Sequence, residues 1–130
     1  MKEMMFGGFM VRFSEDLMGY EGKGLDRPVH FIVDFNVENK EWATFTFAPM
    51  FGCCGVVISA ASNNRRLDST TFHQIKAQVA KWLGYSCILA TVECTNFPEV
   101  IGAGKNGWKF VDSFINKRTQ HTLGIMVKHV

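Results

Sequence analysis

The stretch FGCCGVVISAASNNRRLDSTTFHQIKAQVAKWLGY, residues 51–85, decides the fold because it predicts a strand, a turn and a helix in succession. The β-branched run at residues 56–58 is typical of a strand that is covered on both faces. Apolar side chains then recur at helical spacing, at Phe72, Ile75, Val79 and Trp82. Gly84 follows them, where a glycine with a left-handed backbone conformation is expected to end the helix.

The turn between this strand and this helix is small, polar and then doubly basic, at residues 60–66. Asp68 or Ser69 is expected to cap the helix, because a short side-chain oxygen can accept hydrogen bonds from the free N–H groups of a first turn. A turn that opens a helix is also a common place to hold an anionic group. The residues leave two interpretations open: an anion-binding unit, or a strand and helix that only build core.

The overall composition predicts one globular domain, residues 1–130, with 47% hydrophobic and 20% charged residues. The net charge of +2 is too small to argue for nucleic-acid binding. No apolar run approaches the roughly 20 residues that a membrane-spanning helix requires. We therefore expect no membrane partner, and the composition does not favour nucleic acid as a partner.

The four cysteines are Cys53, Cys54, Cys87 and Cys94. Two of them are adjacent, and Cys54 and Cys87 lie in apolar segments where a free thiol behaves as a small hydrophobic group. This pattern predicts reduced thiols in a cytoplasmic setting rather than a disulfide framework. No spacing of cysteines and histidines predicts a zinc site.

The chain on either side of residues 51–85 predicts further strands. Residues 4–13 are apolar enough for a first strand, and residues 28–37 and 41–48 alternate in hydrophobicity as an antiparallel hairpin does. The polar loop at residues 14–27 leaves two interpretations open, a wall on the substrate side or a floppy connection, and the second is favoured.

After residue 85, strands are predicted at residues 86–93, 108–115 and 122–130. A short helix is predicted between the first two, and Asn96 with Glu99 fits the pattern of a capping box at its start. The fold class is therefore α/β or α+β: one domain with a mixed, twisted sheet of six to seven strands and two main helices.

The order of the C-terminal motifs resembles that of the GCN5-related N-acetyltransferase (GNAT) family of acyl-CoA-dependent acyltransferases. Those motifs are the strand SCILATVE, Asn96, the pair Gly107-Trp108, the strand 109–115, the turn 116–119 and the strand LGIMVKHV. The topological likeness extends over residues 4–130. The small size and the ending also look like those of short GNAT-like proteins of tailed phages.

The resemblance implies that acetyl-CoA binds where the strands containing residues 56–58 and 89–92 splay apart. The turn that follows would then hold the pyrophosphate at a helix N-terminus. Asn96 would either face the cofactor or cap its own helix, and capping is favoured. The residues assigned to the cofactor are Ile58, Ser59, Asn64, Arg65, Arg66 and Asn96.

Two departures from the family pattern bear on activity. The family's pyrophosphate turn, Q/R-x-x-G-x-G/A, has no counterpart, since residues 63–69 contain no glycine. The family's general-acid tyrosine would fall on Ala103. Two functions therefore stay open: acyl transfer to an unknown amine, or a protein that has lost transfer and binds a protein partner. In the second case it would act as a virion component or as an inhibitor in the host cytoplasm.

The best candidate for a general base is Glu93, which ends the strand that approaches the acyl group in this family. The alternative for Glu93 is a structural carboxylate that pairs with a lysine or caps the next helix. A further hypothesis makes Cys94 a nucleophile with His73 as its base, but a histidine among Thr71, Gln74 and Lys76 is expected to be solvated.

Overall fold

The computed structural model describes residues 2–63 and 69–130. Over these residues it contains one eight-stranded sheet, with strand order β1-β2-β3-β4-β5-β6-β8-β7, and two helices. The strands are β1 (Glu3–Phe6), β2 (Phe9–Phe13), β3 (Val29–Asn36), β4 (Glu41–Met50), β5 (Cys54–Ser62), β6 (Cys87–Glu93), β7 (Lys109–Asn116) and β8 (His121–His129). The helices are α1 (Ser69–Trp82), between β5 and β6, and α2 (Phe97–Lys105), between β6 and β7.

The sheet has one more strand than the six or seven predicted, because residues 4–13 form a hairpin and not a single strand. Gly7 and Gly8 make its turn, with φ angles of 57° and 84°. Two successive positive φ angles are typical of two-residue hairpin turns, whose twist matches that of the flanking strands. Phe6 consequently pairs with Phe9 across the turn.

The N-terminal half of the sheet carries the largest fully buried side chains of the described residues. Alternation along the β3–β4 hairpin places Phe31, Phe45 and Phe47 on one face, where all three are fully buried. The rings of Phe31 and Phe45 are stacked with their centroids 4.9 Å apart. Ile75 and Val79 of α1 belong to the same apolar cluster, as their helical spacing predicts.

The loop at residues 14–27 is anchored to the C-terminal end of α1. Leu17 is fully buried. The N–H of Gly22 donates to the carbonyl of Trp82 at 3.0 Å, and the N–H of Gly24 donates to the carbonyl of Leu83 at 2.6 Å. The expectation of a floppy loop is therefore wrong, because its glycines serve close backbone contacts with the helix end. It contributes no residue to the cavities described below.

The structure tests the predicted C-terminal end of α1 but not its predicted N-terminal cap. Gly84 has the predicted left-handed conformation, with φ of 85°, just after the helix ends. A Cβ atom at this position would lie 2.7 Å from the carbonyl oxygen of Gly22, so both conformation and space require glycine. Asp68 and the side chain of Ser69, the predicted N-cap residues, lie outside the described part of the chain.

Candidate functional site

An opening in the middle of the sheet separates β5 from β6. These parallel strands pair at only three positions, from Cys54 opposite Cys87 to Val56 opposite Leu89. Beyond them β5 continues beside β4, and β6 continues beside β8 as far as Glu93. The backbone groups of β5 that face β6 after Val56 therefore have no partner in that strand.

A β-bulge at Ile58 lies where the two strands separate. Thr46 of β4 pairs with Ser59, whereas the next residue, Phe47, pairs with Val57, so Ile58 is the additional residue. A bulge bends its strand and increases the local twist, which directs β5 away from β6. The side chain of Ile58 is 55% exposed. The prediction of a strand covered on both faces is therefore wrong at this residue.

The opening leads into a cavity of about 510 Å³ between the strands and the two helices. Its strand walls are residues 57–62 and 90–93, and the helical side contributes Phe72, His73, Lys76, Asn96 and Glu99. A second recess of about 370 Å³ is lined by strand residues, which include Met50, Phe114 and Ile125. The two recesses share Val57, Ile58, Ala90 and Thr91, so both open onto the gap between β5 and β6.

His73 is buried in the helical wall, with 3% of its surface exposed. The indole N–H of Trp108 donates to its Nδ1 at 3.1 Å. Since an indole can only donate, Nδ1 accepts, and the proton of the neutral ring is on Nε2. Nε2 in turn lies 3.4 Å from Oε1 of Glu99, to which it donates. The prediction of a solvated His73 is wrong, because α2 and Trp108 cover this face of α1.

Glu99 has a pKa below its ordinary value, chiefly because it accepts the hydrogen bond from His73 and also because Lys76 is a nearby cation. Its side chain, 40% exposed, is turned toward His73. The predicted capping box does not form, since the structure has no side-chain cap on α2.

Lys76 is buried in the same wall, with 6% of its surface exposed. Its Nζ lies 4.5 Å from the centroid of the Phe72 ring, and within the described residues it has no hydrogen bond and no ion pair. Burial lowers its pKa to about 8, although the charge of Glu99 acts in the opposite direction. Sequence reasoning missed this residue. The available signal was its position next to Ile75 and four residues after Phe72, on the edge of the apolar face.

Asn96 stands at the N-cap position of α2 and lines the cavity, but its side chain makes no capping hydrogen bond. The preferred role predicted for Asn96 is therefore wrong. Pro98 occupies the second position of the helix and has no N–H to offer, which removes one of the two usual donors to a capping side chain. The Asn96 side chain is exposed at the cavity.

Glu93 lines the mouth of the cavity at the end of β6. Its Oε1 accepts a hydrogen bond from Nδ1 of His121 at 2.8 Å, and both side chains are about half exposed. The partner of this carboxylate is thus a histidine of β8, and not the lysine that the structural alternative supposed.

The remaining predicted site residues fall into two groups. Ile58 and Ser59 line the cavity, and the hydroxyl of Ser59 donates to Oγ1 of Thr46 at 3.1 Å. Asn64, Arg65 and Arg66 lie outside the described residues. Ala103, at the position of the family's tyrosine, is fully buried in α2.

Residues 2–63 and 69–130 contain no group of three or more histidine, cysteine, aspartate or glutamate side chains arranged to hold a metal ion. Neither described helix is long and apolar enough to cross a membrane.

No protein-family model and no curated protein sequence matches this chain. Several solved structures match its fold. A Bacillus subtilis acetyltransferase in complex with CoA superposes with a TM-score of 0.68 at 8% identity, over 94% of this chain and 99% of that one. A putative phosphinothricin N-acetyltransferase gives 0.65 at 16% identity, over 88% and 79% of the two chains. A GNAT-family acetyltransferase from Elizabethkingia anophelis with acetyl-CoA bound gives 0.64 at 11% identity, over 79% and 76%. The protein has the GNAT fold, as the order of its sequence motifs predicted.

Proposed function

We propose that this protein is an acyl-CoA-dependent N-acyltransferase that transfers an acetyl group to an amine. The observation that carries the proposal is the opening between β5 and β6, with its cavity of about 510 Å³. Proteins of the same fold were solved with CoA and with acetyl-CoA. The chemical identity of the amine is left open.

The residues around the opening suit a cofactor with an extended amide chain. The edge of β5 beyond Val56 offers backbone groups without a β6 partner, and the amides of a pantetheine arm can pair with them as an added strand does. Ile58, Ser59 and Asn96 line this path. In this proposal Asn64, Arg65 and Arg66 hold the pyrophosphate at the start of α1. When bound, acyl-CoA supplies the activated thioester.

Glu93 acts as the general base in the proposed reaction. Its carboxylate stands at the mouth of the cavity, where it can accept a proton from the attacking amine directly or through one water. The hydrogen bond from His121 at 2.8 Å orients the carboxylate. Ala103 has no proton to give, so the departing thiolate takes its proton from water.

The first test is calorimetric titration of the protein with acetyl-CoA. We expect binding in the micromolar range, about −8 kcal/mol. Thr91→Trp should abolish it, because Thr91 is exposed and lines both recesses, so an indole there fills the opening. Ser113→Trp, at an exposed position of β7 that lines neither recess, is the matched control and should bind as wild type does.

Arg65→Ala/Arg66→Ala extends this test to the pyrophosphate. Weaker binding of acetyl-CoA by this double variant supports the proposed location of the turn. A wild-type protein that binds no acetyl-CoA at millimolar concentration contradicts the proposed function.

A second candidate function, protein binding without acyl transfer, is favoured by the apolar surface of the edge strand β7. Four of its apolar side chains are 44–61% exposed: Phe110, Val111, Phe114 and Ile115. Such a strand is suited to contact with another chain. A protein of this kind would act as a phage virion component or a host-directed inhibitor. It would bind no acetyl-CoA, and Val111→Lys/Ile115→Lys would abolish capture of its partner.

A further inference from the structure

Lys76 is a charged side chain in the cavity wall that the proposed mechanism does not use. It is almost fully buried, and its Nζ faces the ring of Phe72 at 4.5 Å rather than a hydrogen-bonding partner among the described residues. Buried lysines that serve structure alone are usually held by a carboxylate, because an unpaired buried ammonium is costly. Here the nearby carboxylate of Glu99 accepts its hydrogen bond from His73 instead.

The surroundings of Lys76 make the neutral amine more accessible than it is in an ordinary lysine. Burial lowers its pKa to about 8 from the ordinary 10.5, so about a tenth of the side chain is uncharged at pH 7. A lysine desolvated beside an apolar ring is the form of this residue that acts as a nucleophile in proteins. It lines the same cavity as Glu93 and residues 57–62 of β5.

We propose that Nζ of Lys76 is an internal acyl acceptor, which takes the acyl group from a thioester bound in the cavity between β5 and β6. This inference rests on the proposed function for the source of the thioester, but it adds a covalent modification site on the chain itself.

The step balances without any further reactant. The ammonium first releases one proton to solvent through the cavity. The nitrogen lone pair then forms a bond to the thioester carbonyl carbon, the bond from that carbon to sulfur breaks, and the thiolate leaves with the electron pair. The second N–H proton passes to the thiolate, so the products are an amide on Lys76 and a free thiol.

The product suits the buried position better than the ammonium does. An amide carries no charge, so acylation removes the desolvation cost that lowers the pKa of Lys76. It also retains a polar N–H and carbonyl in a wall that already holds His73 and Glu99. We therefore expect the modification to persist once it has formed.

The experiment is peptide mass spectrometry after incubation of the folded protein with acetyl-CoA and, separately, with the acetyl thioester of N-acetylcysteamine. The second reagent has the thioester but no nucleotide. Lys81, exposed on the same helix, is the internal reference. The neutral fraction of Lys76 near pH 7 exceeds that of an ordinary lysine by roughly 300-fold. We expect Lys76 to be acetylated at least about tenfold faster than Lys81.

The pH dependence gives a second readout. The rate at Lys76 should level off above about pH 8, where most of its amine is already neutral. Lys76→Met and Lys76→Arg should both lose the fast-modified site, and Lys81→Met should retain it. Two variants are used because a buried guanidinium is a greater risk to folding than a buried methionine. The preference for Lys76 should disappear when the wild-type chain is unfolded in urea.

The outcomes separate this inference from the proposed function. Calorimetric binding of acetyl-CoA without acetylation of Lys76 by either reagent overturns the inference and leaves the function standing. Fast, fold-dependent acetylation by the short thioester, in a protein that binds no acetyl-CoA, supports the inference and contradicts the function. Acetylation spread over exposed lysines, with Lys76 unmodified, also overturns the inference.

Discussion

Two histidine–glutamate pairs line or border the same cavity, and they differ in the burial of the histidine and in the number of its hydrogen-bond partners. His121 and Glu93 are separated by 2.8 Å and are 56% and 47% exposed. His73 and Glu99 are separated by 3.4 Å, but His73 is 3% exposed and also accepts a hydrogen bond from Trp108. The shorter contact, between His121 and Glu93, joins two exposed side chains, so water can compete for it. Because burial and the number of groups left unpaired outweigh a difference in distance, we expect the pair with the buried histidine to contribute more to stability.

The two pairs also hold different parts of the molecule. The pair with the buried histidine joins α1 to α2. His73 also accepts a hydrogen bond from Trp108, the residue that precedes β7, so the pair fixes the helical wall of the cavity. The exposed pair joins the end of β6 to the start of β8 at the cavity mouth. We infer that the first pair serves chiefly the shape of the site and the second chiefly its chemistry.

The largest expected effect on stability is that of His73→Ala. It leaves the indole N–H of Trp108 without its acceptor and a cavity in the helical wall, and should lower the free energy of unfolding by about 3 kcal/mol. The carboxylate of Glu99, 40% exposed, can be hydrated instead. His121→Ala is the matched substitution in the exposed pair and should cost about 0.5 kcal/mol. Urea denaturation measures both, and equal losses would contradict the role assigned to burial.

Lys76→Met should act in the opposite direction at neutral pH. A folded-state pKa of about 8 against an unfolded value of 10.5 means that folding disfavours the charged form. At pH 7 the variant should therefore be more stable than wild type by up to roughly 3 kcal/mol. Between pH 8 and 10.5 the unfolded chain holds the proton that the folded chain has released. The stability of wild type should rise over this range, and the difference should close.

Chemical denaturation at several pH values from 7 to 10.5 tests this expectation for Lys76. Lys81→Met, on the exposed face of the same helix, controls for the loss of one positive charge. A difference between wild type and Lys76→Met that does not change with pH would show that Lys76 stays charged in the folded protein.

Glu93→Gln should have the smallest effect on stability, within about 0.5 kcal/mol, because its side chain is half exposed. Its effect on acyl transfer should nevertheless be large, a loss of about 100-fold in kcat, if the carboxylate is the general base. The measurement is the release of free thiol from acetyl-CoA in the presence of an amine acceptor. Full activity in this variant would show that Glu93 is not the general base, and it would leave the proposed cofactor site unaffected.

Much of the fold was predictable because its determinants are local. Alternation along residues 28–37 and 41–48 correctly indicated a hairpin, and the spacing from Phe72 to Trp82 correctly indicated α1. The turn at Gly7 and Gly8 was readable in principle, since two adjacent glycines between apolar runs are a hairpin signal, although residues 4–13 were expected to form a single strand.

The candidate site was predictable only in part. The opening between the strands, with Ile58, Ser59, Glu93 and Asn96 beside it, was expected from the family resemblance. The capping role of Asn96 was not correct, because a proline occupies the second helical position and Glu99 turns to another partner. Burial of His73 and Lys76 was not evident from helical spacing alone, since both stand at the edge of the apolar face of α1 and are covered by residues distant in sequence, such as Trp108.

The sequence by itself determined the strands, the helices, their order and the left-handed end of α1, because period, turn chemistry and glycine conformation act over a few residues. Only the tertiary structure decided which polar side chains lose water. Trp108 is 35 residues from His73 in sequence, yet it donates to that histidine and helps to bury it. Desolvation depends on such distant partners, and it is desolvation that lowers the pKa of Lys76 and distinguishes the two histidine–glutamate pairs.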